Sequence, residues 1–125
     1  MPSILDKIRN LEKDKKGVVV VELGNGYSVH KAWHSNGEPY LEAYKLDGQL
    51  HGTETIWNMY GNILSKITWM YGKMTIYEGY MHKRLIERKE FDDKEQLILL
   101  EIWDETGHQI KKDLYDAGVR IGTLL

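Results

Sequence analysis

Apolar and polar residues alternate along most of the chain in short segments separated by turn-forming residues. Between residues 63 and 71, Ile67 and Trp69 fall on one side of an extended strand, and Lys66 and Thr68 fall on the other. This period of two is typical of half-buried strands. Each segment spans about a dozen residues, which fits one strand and one turn but is too short for a helix with its connection. The pattern therefore predicts an all-β protein, an antiparallel meander of about eight or nine short strands.

The first predicted strand covers residues 18–23 and contains four consecutive valines, Val18 to Val21. Apolar residues at every position of a strand indicate burial on both faces.

Glycines punctuate these segments at a nearly constant interval. Neighbouring glycines of the series are 11 or 13 residues apart except for one gap of 35, and the series is Gly26, Gly37, Gly48, Gly61, Gly72, Gly107 and Gly118. The dipeptides Asn25-Gly26, Asn36-Gly37 and Asp47-Gly48 suit type I′ turns, in which both central residues have positive φ. We therefore expect these segments to be linked as hairpins, with a full repeat of 23 or 24 residues.

An aromatic residue stands four positions before most of these turns. Trp33, Tyr44, Trp57 and Trp103 precede Gly37, Gly48, Gly61 and Gly107 in this way, and within the gap Tyr80 precedes Arg84 and Phe91 precedes Glu95. The last two turns are interpreted as units that lost their glycine and kept their aromatic residue. We expect the aromatic side chains to stack on their counterparts in the next hairpin and form a ladder along one face.

Part of this pattern resembles a known family. The spacing Tyr44-x-x-x-Gly48-x-x-x-Gly52-x-x-x-x-Trp57-x-x-x-Gly61, with Gly72 following, is similar to the variant form of the MORN repeat, and Gly48-Gln49-Leu50-His51-Gly52 is its most recognisable part. MORN variants are β-hairpin repeats of bacterial antitoxin-like and immunity-like proteins and of large DNA viruses. The resemblance covers residue 22 to the C-terminus, with residues 80–100 departing from the pattern. It implies a role in binding or scaffolding and no catalytic residues.

A different pattern occupies the N-terminus. Residues 3–16 have the features of a short amphipathic helix, with Ser3 as a cap and Gly17 as a stop. We therefore divide the chain into an N-terminal helix, residues 1–17, and a MORN-like repeat domain, residues 18–125. The helix is expected to cover one edge or end of the sheet. The alternative is a helix that docks on a partner or a membrane surface, which the lysines of its last turn support.

The segment from Arg84 to Ile102 allows two interpretations. Its composition is compatible with a helix, but Asp92-Asp93-Lys94 forms a polar turn where the repeat requires one. The strand interpretation is favoured and the helix remains open. The loss of glycines here would be consistent with adaptation to an interface.

Composition limits the remaining classes. The chain has 125 residues, a formal net charge of −2 and no cysteine, which excludes a disulfide framework and a thiolate metal site. Its slight negative charge does not favour nucleic acid. No long apolar run follows Met1, so we expect no signal peptide and no membrane span. The expected location is the cytoplasm, or a viral particle or other assembly into which a partner carries the protein.

The sequence contains no pattern typical of a catalytic or metal site. His30 and His34 would lie about 13 Å apart on a strand, too far for one metal ion, and no phosphate loop, dinucleotide motif or Gly-x-Ser-x-Gly motif is present. We expect no enzymatic activity, no metal and no cofactor.

Residues 59–81 are instead rich in tyrosine and methionine and poor in charge, as interface cores are. The predicted contact residues are Met59, Tyr60, Met70, Tyr71, Met74, Tyr77, Tyr80 and Met81, together with Arg84. The expected function is that of a non-enzymatic protein-binding or assembly module, with a protein partner or a second copy as ligand. The alternatives are an antitoxin-like or immunity-like inhibitor of a partner protein and a phospholipid-binding module, with membrane contact the least favoured.

Overall fold

The computed structural model describes residues 17–125, and every regular element in this range is a strand. The predicted N-terminal helix at residues 3–16 lies outside the described residues. Ten strands form one antiparallel sheet in the order of the chain, so the predicted meander is confirmed and has one strand more than the upper estimate. The strands are β1 Val19–Gly24, β2 Tyr27–Trp33, β3 Pro39–Leu46, β4 Gln49–Trp57, β5 Ile63–Met70, β6 Lys73–Met81, β7 Arg84–Phe91, β8 Leu97–Trp103, β9 Gln109–Asp116 and β10 Val119–Thr123.

The connections lie alternately at the two ends of the strands. End A carries the connections β1–β2, β3–β4, β5–β6, β7–β8 and β9–β10, and end B carries the other four. Five connections are two-residue turns with positive φ at both residues, as in type I′ turns. They are Asn25-Gly26, Asp47-Gly48, Tyr71-Gly72, His82-Lys83 and Ala117-Gly118. The predictions for Asn25-Gly26 and Asp47-Gly48 are thus confirmed.

The prediction of a type I′ turn at Asn36-Gly37 is wrong. These residues belong to a five-residue loop, 34–38. Gly37 has a φ of 89° in this loop, but Asn36 does not have a positive φ. The Gly37 amide donates to the His34 carbonyl at 3.0 Å, and the His34 amide donates to the Glu38 carbonyl at 2.8 Å. The dipeptide alone did not reveal this loop because asparagine followed by glycine suits several turn geometries.

Loops 58–62, 92–96 and 104–108 share this backbone pattern and add a side-chain cap. Their first residues are Asn58, Asp92 and Asp104, and each Oδ1 accepts hydrogen bonds from the backbone amides two and four residues later, at 2.9 to 3.0 Å. Asparagine and aspartate are common in turns because their side chains bond to nearby amides in this way. The pairs Trp57-Asn58, Phe91-Asp92 and Trp103-Asp104 thus each begin a five-residue loop, whereas Tyr115-Asp116 precedes the two-residue turn Ala117-Gly118.

The segment from Arg84 to Ile102 forms β7 and most of β8, so it is not helical. The predicted turn at Asp92-Asp93-Lys94 is confirmed, and Glu95 occupies the glycine position with a φ of 59°. The second missing glycine is not replaced by Arg84, as predicted, but by Lys83, one residue earlier, with a φ of 66°. Tyr80 thus precedes the last turn residue by three positions, as Trp69 precedes Gly72 and Tyr115 precedes Gly118.

Few side chains in the described range are fully buried, because the strands form one layer. The buried apolar residues are Val21, Val29, Ala32 and Ala43. Val20 is 48% exposed, whereas Val21 is 8% exposed. The expected burial of this valine run on both faces is therefore wrong, and β1 follows the alternation of a strand with one covered face.

Four of the six predicted aromatic residues form a row but do not stack, and the other two, Tyr44 and Phe91, lie near end A. Alternation along β2, β4, β6 and β8 places Trp33, Trp57, Tyr80 and Trp103 on the same face near end B. These strands are two apart, so neighbouring members are separated by about 9 to 10 Å. The close ring pairs in the described range are instead Tyr27 with His51, His51 with Tyr71, and His34 with Tyr40. The repeat therefore keeps Trp33, Trp57, Tyr80 and Trp103 in a row without ring stacking between hairpins.

Candidate protein-contact surface

A row of charged residues crosses the middle of the sheet. Cross-strand register joins Lys31, Glu42, Thr55, Lys66, Glu78, Arg88, Glu101 and Lys112 in one continuous row. Directly paired residues of an antiparallel sheet lie on the same face. We call this row the charge ladder and its side the charged face. The charge signs alternate along it except at Thr55, so each charged side chain lies opposite one of the other sign or opposite threonine.

The strongest contacts of the charge ladder surround Arg88. Its Nη1 lies 3.3 Å from Glu101 Oε1, and its Nη2 lies 3.1 Å from Glu90 Oε1. Burial opposes the charge of Arg88, but hydrogen bonds to Glu90 and Glu101 outweigh it and raise the pKa of the guanidinium. The Glu101 side chain is 13% exposed and also accepts a hydrogen bond from Gln109 Nε2 at 2.7 Å. This half of the charge ladder is therefore a partly buried polar network.

At end A, hydrogen bonds join the first three hairpins. The Asp47 amide donates to the Gly26 carbonyl, and the Gly72 amide donates to the Leu50 carbonyl, each at 2.8 Å. The Tyr71 amide donates to His51 Nδ1 at 3.1 Å. These contacts fix neighbouring turns relative to one another and so give end A a defined surface.

End B has comparable contacts made by side chains. His34 Nε2 donates to the Trp57 carbonyl and Asn36 Nδ2 donates to the Met59 carbonyl, both at 2.8 Å. Arg84 Nη1 donates to the Glu105 carbonyl at 3.2 Å. Arg84, predicted to contact a partner, thus connects successive repeats. The residues that bond to each other at end B are 21 to 23 positions apart in the chain, which is close to one repeat. This spacing is the sequence signal for their role.

The predicted contact residues do not form one surface. Met70 and Tyr71 lie at end A and are 55% and 62% exposed. Met59 and Tyr60 lie in the loop at end B and are 47% and 88% exposed, and Met81, 53% exposed, precedes the turn at the same end. The strand β5 separates the two ends by about 25 Å. The exposed members therefore divide into two groups.

The remaining predicted contact residues are only half-exposed and belong to the sheet surface. Tyr80 lies on the charged face, where burial and the nearby Glu78 carboxylate raise its pKa. Met74 and Tyr77 lie on the opposite face. The Tyr77 ring covers Gly79, since a Cβ built at Gly79 would lie 3.2 Å from Tyr77 Oη. On the neighbouring strand β7, Lys89 Nζ lies 5.6 Å from the centre of the Tyr77 ring.

Two surface depressions differ in the chemistry of their lining residues. One, of about 330 Å³ at end A, is lined mainly by apolar atoms and includes Met70, Tyr71 and Phe91. The other, of about 370 Å³ beside β9 and β10, includes Asp113, whose residue is 2% exposed. Asp113 Oδ2 lies 3.2 Å from Arg120 Nε, although no contact of this oxygen has hydrogen-bond geometry. Lys111 Nζ lies 3.7 Å from the same oxygen, so two cations of the sheet surround this buried carboxylate.

Within residues 17–125, no group of three or more histidine, aspartate or glutamate side chains is arranged to hold a metal ion. The same part of the chain contains no helix long and apolar enough to span a membrane.

No protein-family model and no curated protein matches the chain, so the resemblance to MORN repeats stays a prediction. Among solved structures, the chain is similar to a mutant of S. aureus TarM in complex with Fondaparinux, alpha-GlcNAc-glycerol and UDP, with a TM-score of 0.55 and 10% identity. A second TarM structure gives a TM-score of 0.53 and 10% identity. Each match covers 98% of this chain and 24% of TarM. The chain thus spans about a quarter of TarM's length, and the likeness concerns the fold alone.

Proposed function

We propose that this protein is a non-enzymatic protein-binding or assembly module whose contact residues lie at the two ends of its sheet. The observation that carries the proposal is the exposure of large apolar side chains on the connections, above all Tyr60 at 88% and Tyr71 at 62%. Tyrosine and methionine are enriched in interface cores. Their removal from water would favour association.

The contacts between repeats support this proposal. The loop that carries Tyr60 is capped by Asn58 and bonded to Asn36 of the preceding loop. The turn that carries Tyr71 is bonded to His51 and Leu50 of the preceding hairpin. A surface that is already ordered loses less conformational entropy when it binds. Both groups of exposed side chains are therefore presented by fixed backbone.

Two kinds of partner are compatible with this surface. An antitoxin-like or immunity-like inhibitor would form a tight complex with one partner protein. An assembly component would bury larger areas against several copies or several proteins. Either partner would contact the same exposed tyrosine and methionine side chains at the two ends.

Affinity capture from the native host tests the proposal. Tagged wild-type protein, Tyr60→Ser, Tyr71→Asn and the double variant are compared, with recovered proteins quantified by mass spectrometry. Asparagine is chosen at residue 71 because it accepts the positive φ of 48° found there. The matched control is Ile121→Thr, since Ile121 is 65% exposed and lies in the middle of the edge strand β10.

We expect at least one stoichiometric protein to be lost from the double variant and retained by the control, with thermal melting unchanged. A single small partner would indicate an inhibitor, whereas a set of mutually associated proteins would indicate an assembly component. Retention of every partner by a folded double variant would refute the proposal.

A further inference from the structure

The depression at end A combines an apolar floor with an acidic rim. Met70, Tyr71 and Phe91 line it together with Lys73, Asp92 and Asp93, and its volume is about 330 Å³. We call it the end A groove. It lies between the turn β5–β6 and the loop β7–β8, and these connections belong to neighbouring hairpins. The volume is comparable to that of small ligand sites, so it is large enough to accept one apolar side chain.

The charges of the groove are not equally available to a ligand. Asp92 Oδ1 already accepts the amides of Lys94 and Gln96, at 2.9 Å each. Lys73 Nζ donates to the backbone carbonyl of Asp93 at 2.8 Å. The Asp93 carboxylate has no hydrogen bond or ion pair in the described range. The rim therefore presents a free carboxylate beside an ammonium group that is already bonded.

The groove is held in shape by contacts that do not involve the Asp93 carboxylate. Besides the bond from Lys73, the Met74 amide donates to Glu95 Oε1 at 2.8 Å. The Tyr71 ring lies against His51, with ring centres 4.6 Å apart. Both walls are thus fixed before any ligand arrives, which reduces the entropic cost of binding.

This geometry points to a specific ligand for the end A groove: an extended peptide segment of a partner protein in which an apolar side chain is flanked by arginine or lysine. The apolar side chain enters between Met70, Tyr71 and Phe91, and the cation pairs with the Asp93 carboxylate. A guanidinium group next to Tyr71 gains a further contact with the ring face. The inference rests on the proposed role in protein binding and names the chemistry recognised at one of its two ends.

Nuclear magnetic resonance titration of the full chain tests this inference. The probe is an acetylated and amidated Gly-Arg-Leu-Arg-Gly peptide, added to ¹⁵N-labelled protein. We expect saturable shifts of the Tyr71, Phe91 and Asp93 amides with a Kd on the order of 1 mM or tighter. Two peptides serve as comparisons: one with glutamate in place of arginine, and one with glycine in place of leucine. Both should bind at least about tenfold more weakly.

Variants assign the binding to named groups. Tyr71→Asn should weaken binding about tenfold, because it removes a wall of the groove and retains the turn. Asp93→Lys should weaken it at least about threefold and reduce its salt dependence. This change leaves the Asp93 carbonyl, and hence its bond from Lys73, in place. Tyr60→Ser, at the opposite end, is the control and should bind as wild type.

Absence of shifts at end A, equal binding of the glutamate peptide, or wild-type affinity of Asp93→Lys would overturn the inference. These outcomes differ from failure of the proposed function. If partners are captured from the host but the arginine peptide does not bind, protein binding stands and the ligand assigned to the groove is wrong.

Discussion

Substitution of Arg88 by methionine tests whether the charge ladder stabilises the sheet. Arg88 bonds to Glu101 at 3.3 Å and to Glu90 at 3.1 Å, and its side chain is 26% exposed. Methionine has a similar apolar stem and no charge. The change therefore removes both ion pairs while retaining most of the packing, and it leaves the Glu101 carboxylate, 13% exposed, without its main cationic partner.

The magnitude follows from the burial of the two pairs. The pair with Glu90, whose side chain is 34% exposed, resembles a surface ion pair of roughly 0.2 to 1 kcal/mol. The pair with Glu101 is better covered, so its loss costs roughly 1 to 2 kcal/mol as a hydrogen bond between charged groups. The free energy of unfolding should fall by about 1 to 3 kcal/mol. For a domain of this size, the melting temperature should fall by about 4 to 12 °C.

Urea denaturation and thermal melting of Arg88→Met measure this change directly. The double variant with Glu101→Gln should recover part of the loss, since it removes the unpaired carboxylate, and the coupling free energy of the cycle should be about 0.5 to 2 kcal/mol. Lys94→Met, a charge removed from an exposed loop residue, is the control and should change little. A melting temperature of Arg88→Met equal to that of the control, or a cycle without coupling, would refute a stabilising role for this part of the charge ladder.

Three further predictions concern single residues. Asn58→Ala should lower the free energy of unfolding by about 1 to 3 kcal/mol in urea, because two loop amides lose their acceptor at 2.9 and 3.0 Å; an unchanged midpoint would contradict this. Gly79→Ala should cost about 1 to 3 kcal/mol by crowding the Tyr77 ring at 3.2 Å, and Tyr77→Val should relieve the penalty in the same assay. Burial, and then the Lys45 charge, lower the pKa of His30 from 6.5, so the unfolded state binds more protons and stability falls as pH drops through 6.5. His30→Gln should flatten the pH dependence of melting between pH 7.5 and 5.5, and an identical slope would exclude this role of His30.

The sequence predicted the meander because its strands and turns are encoded locally. Asn25-Gly26 and Asp47-Gly48 specify positive φ at adjacent residues, and the structure has φ values of 55° and 82° at the first turn. At Gly26, glycine is also required by space, because a Cβ would clash with the Asp47 carboxylate. The turn 82–83 was placed one residue late because His82 and Lys83 adopt the same geometry without a glycine.

The candidate site was less predictable because it depends on contacts one repeat away. Composition selected the exposed Tyr60 and Tyr71 correctly as surface residues but could not show that they lie at opposite ends. Arg84 was predicted to contact a partner because of its position in a degenerate unit, but its guanidinium donates a hydrogen bond to the Glu105 carbonyl. Such roles depend on which turns become neighbours, and that follows only once every strand has its register.

The degenerate repeat indicates which features of the architecture are essential. Between Gly72 and Gly107 the turn glycines are lost, but the charge ladder continues through Glu78, Arg88 and Glu101. Hydrogen bonds to the next repeat also continue, from Lys73 to Asp93 and from Arg84 to Glu105. A repeat sheet needs only nearest-neighbour contacts to propagate, so these contacts can maintain the sheet while individual turn residues change. The loop that replaces a type I′ turn at residues 92–96 then supplies Asp92 and Asp93 to the end A groove. The irregular unit therefore preserves the sheet and alters the chemistry of one end.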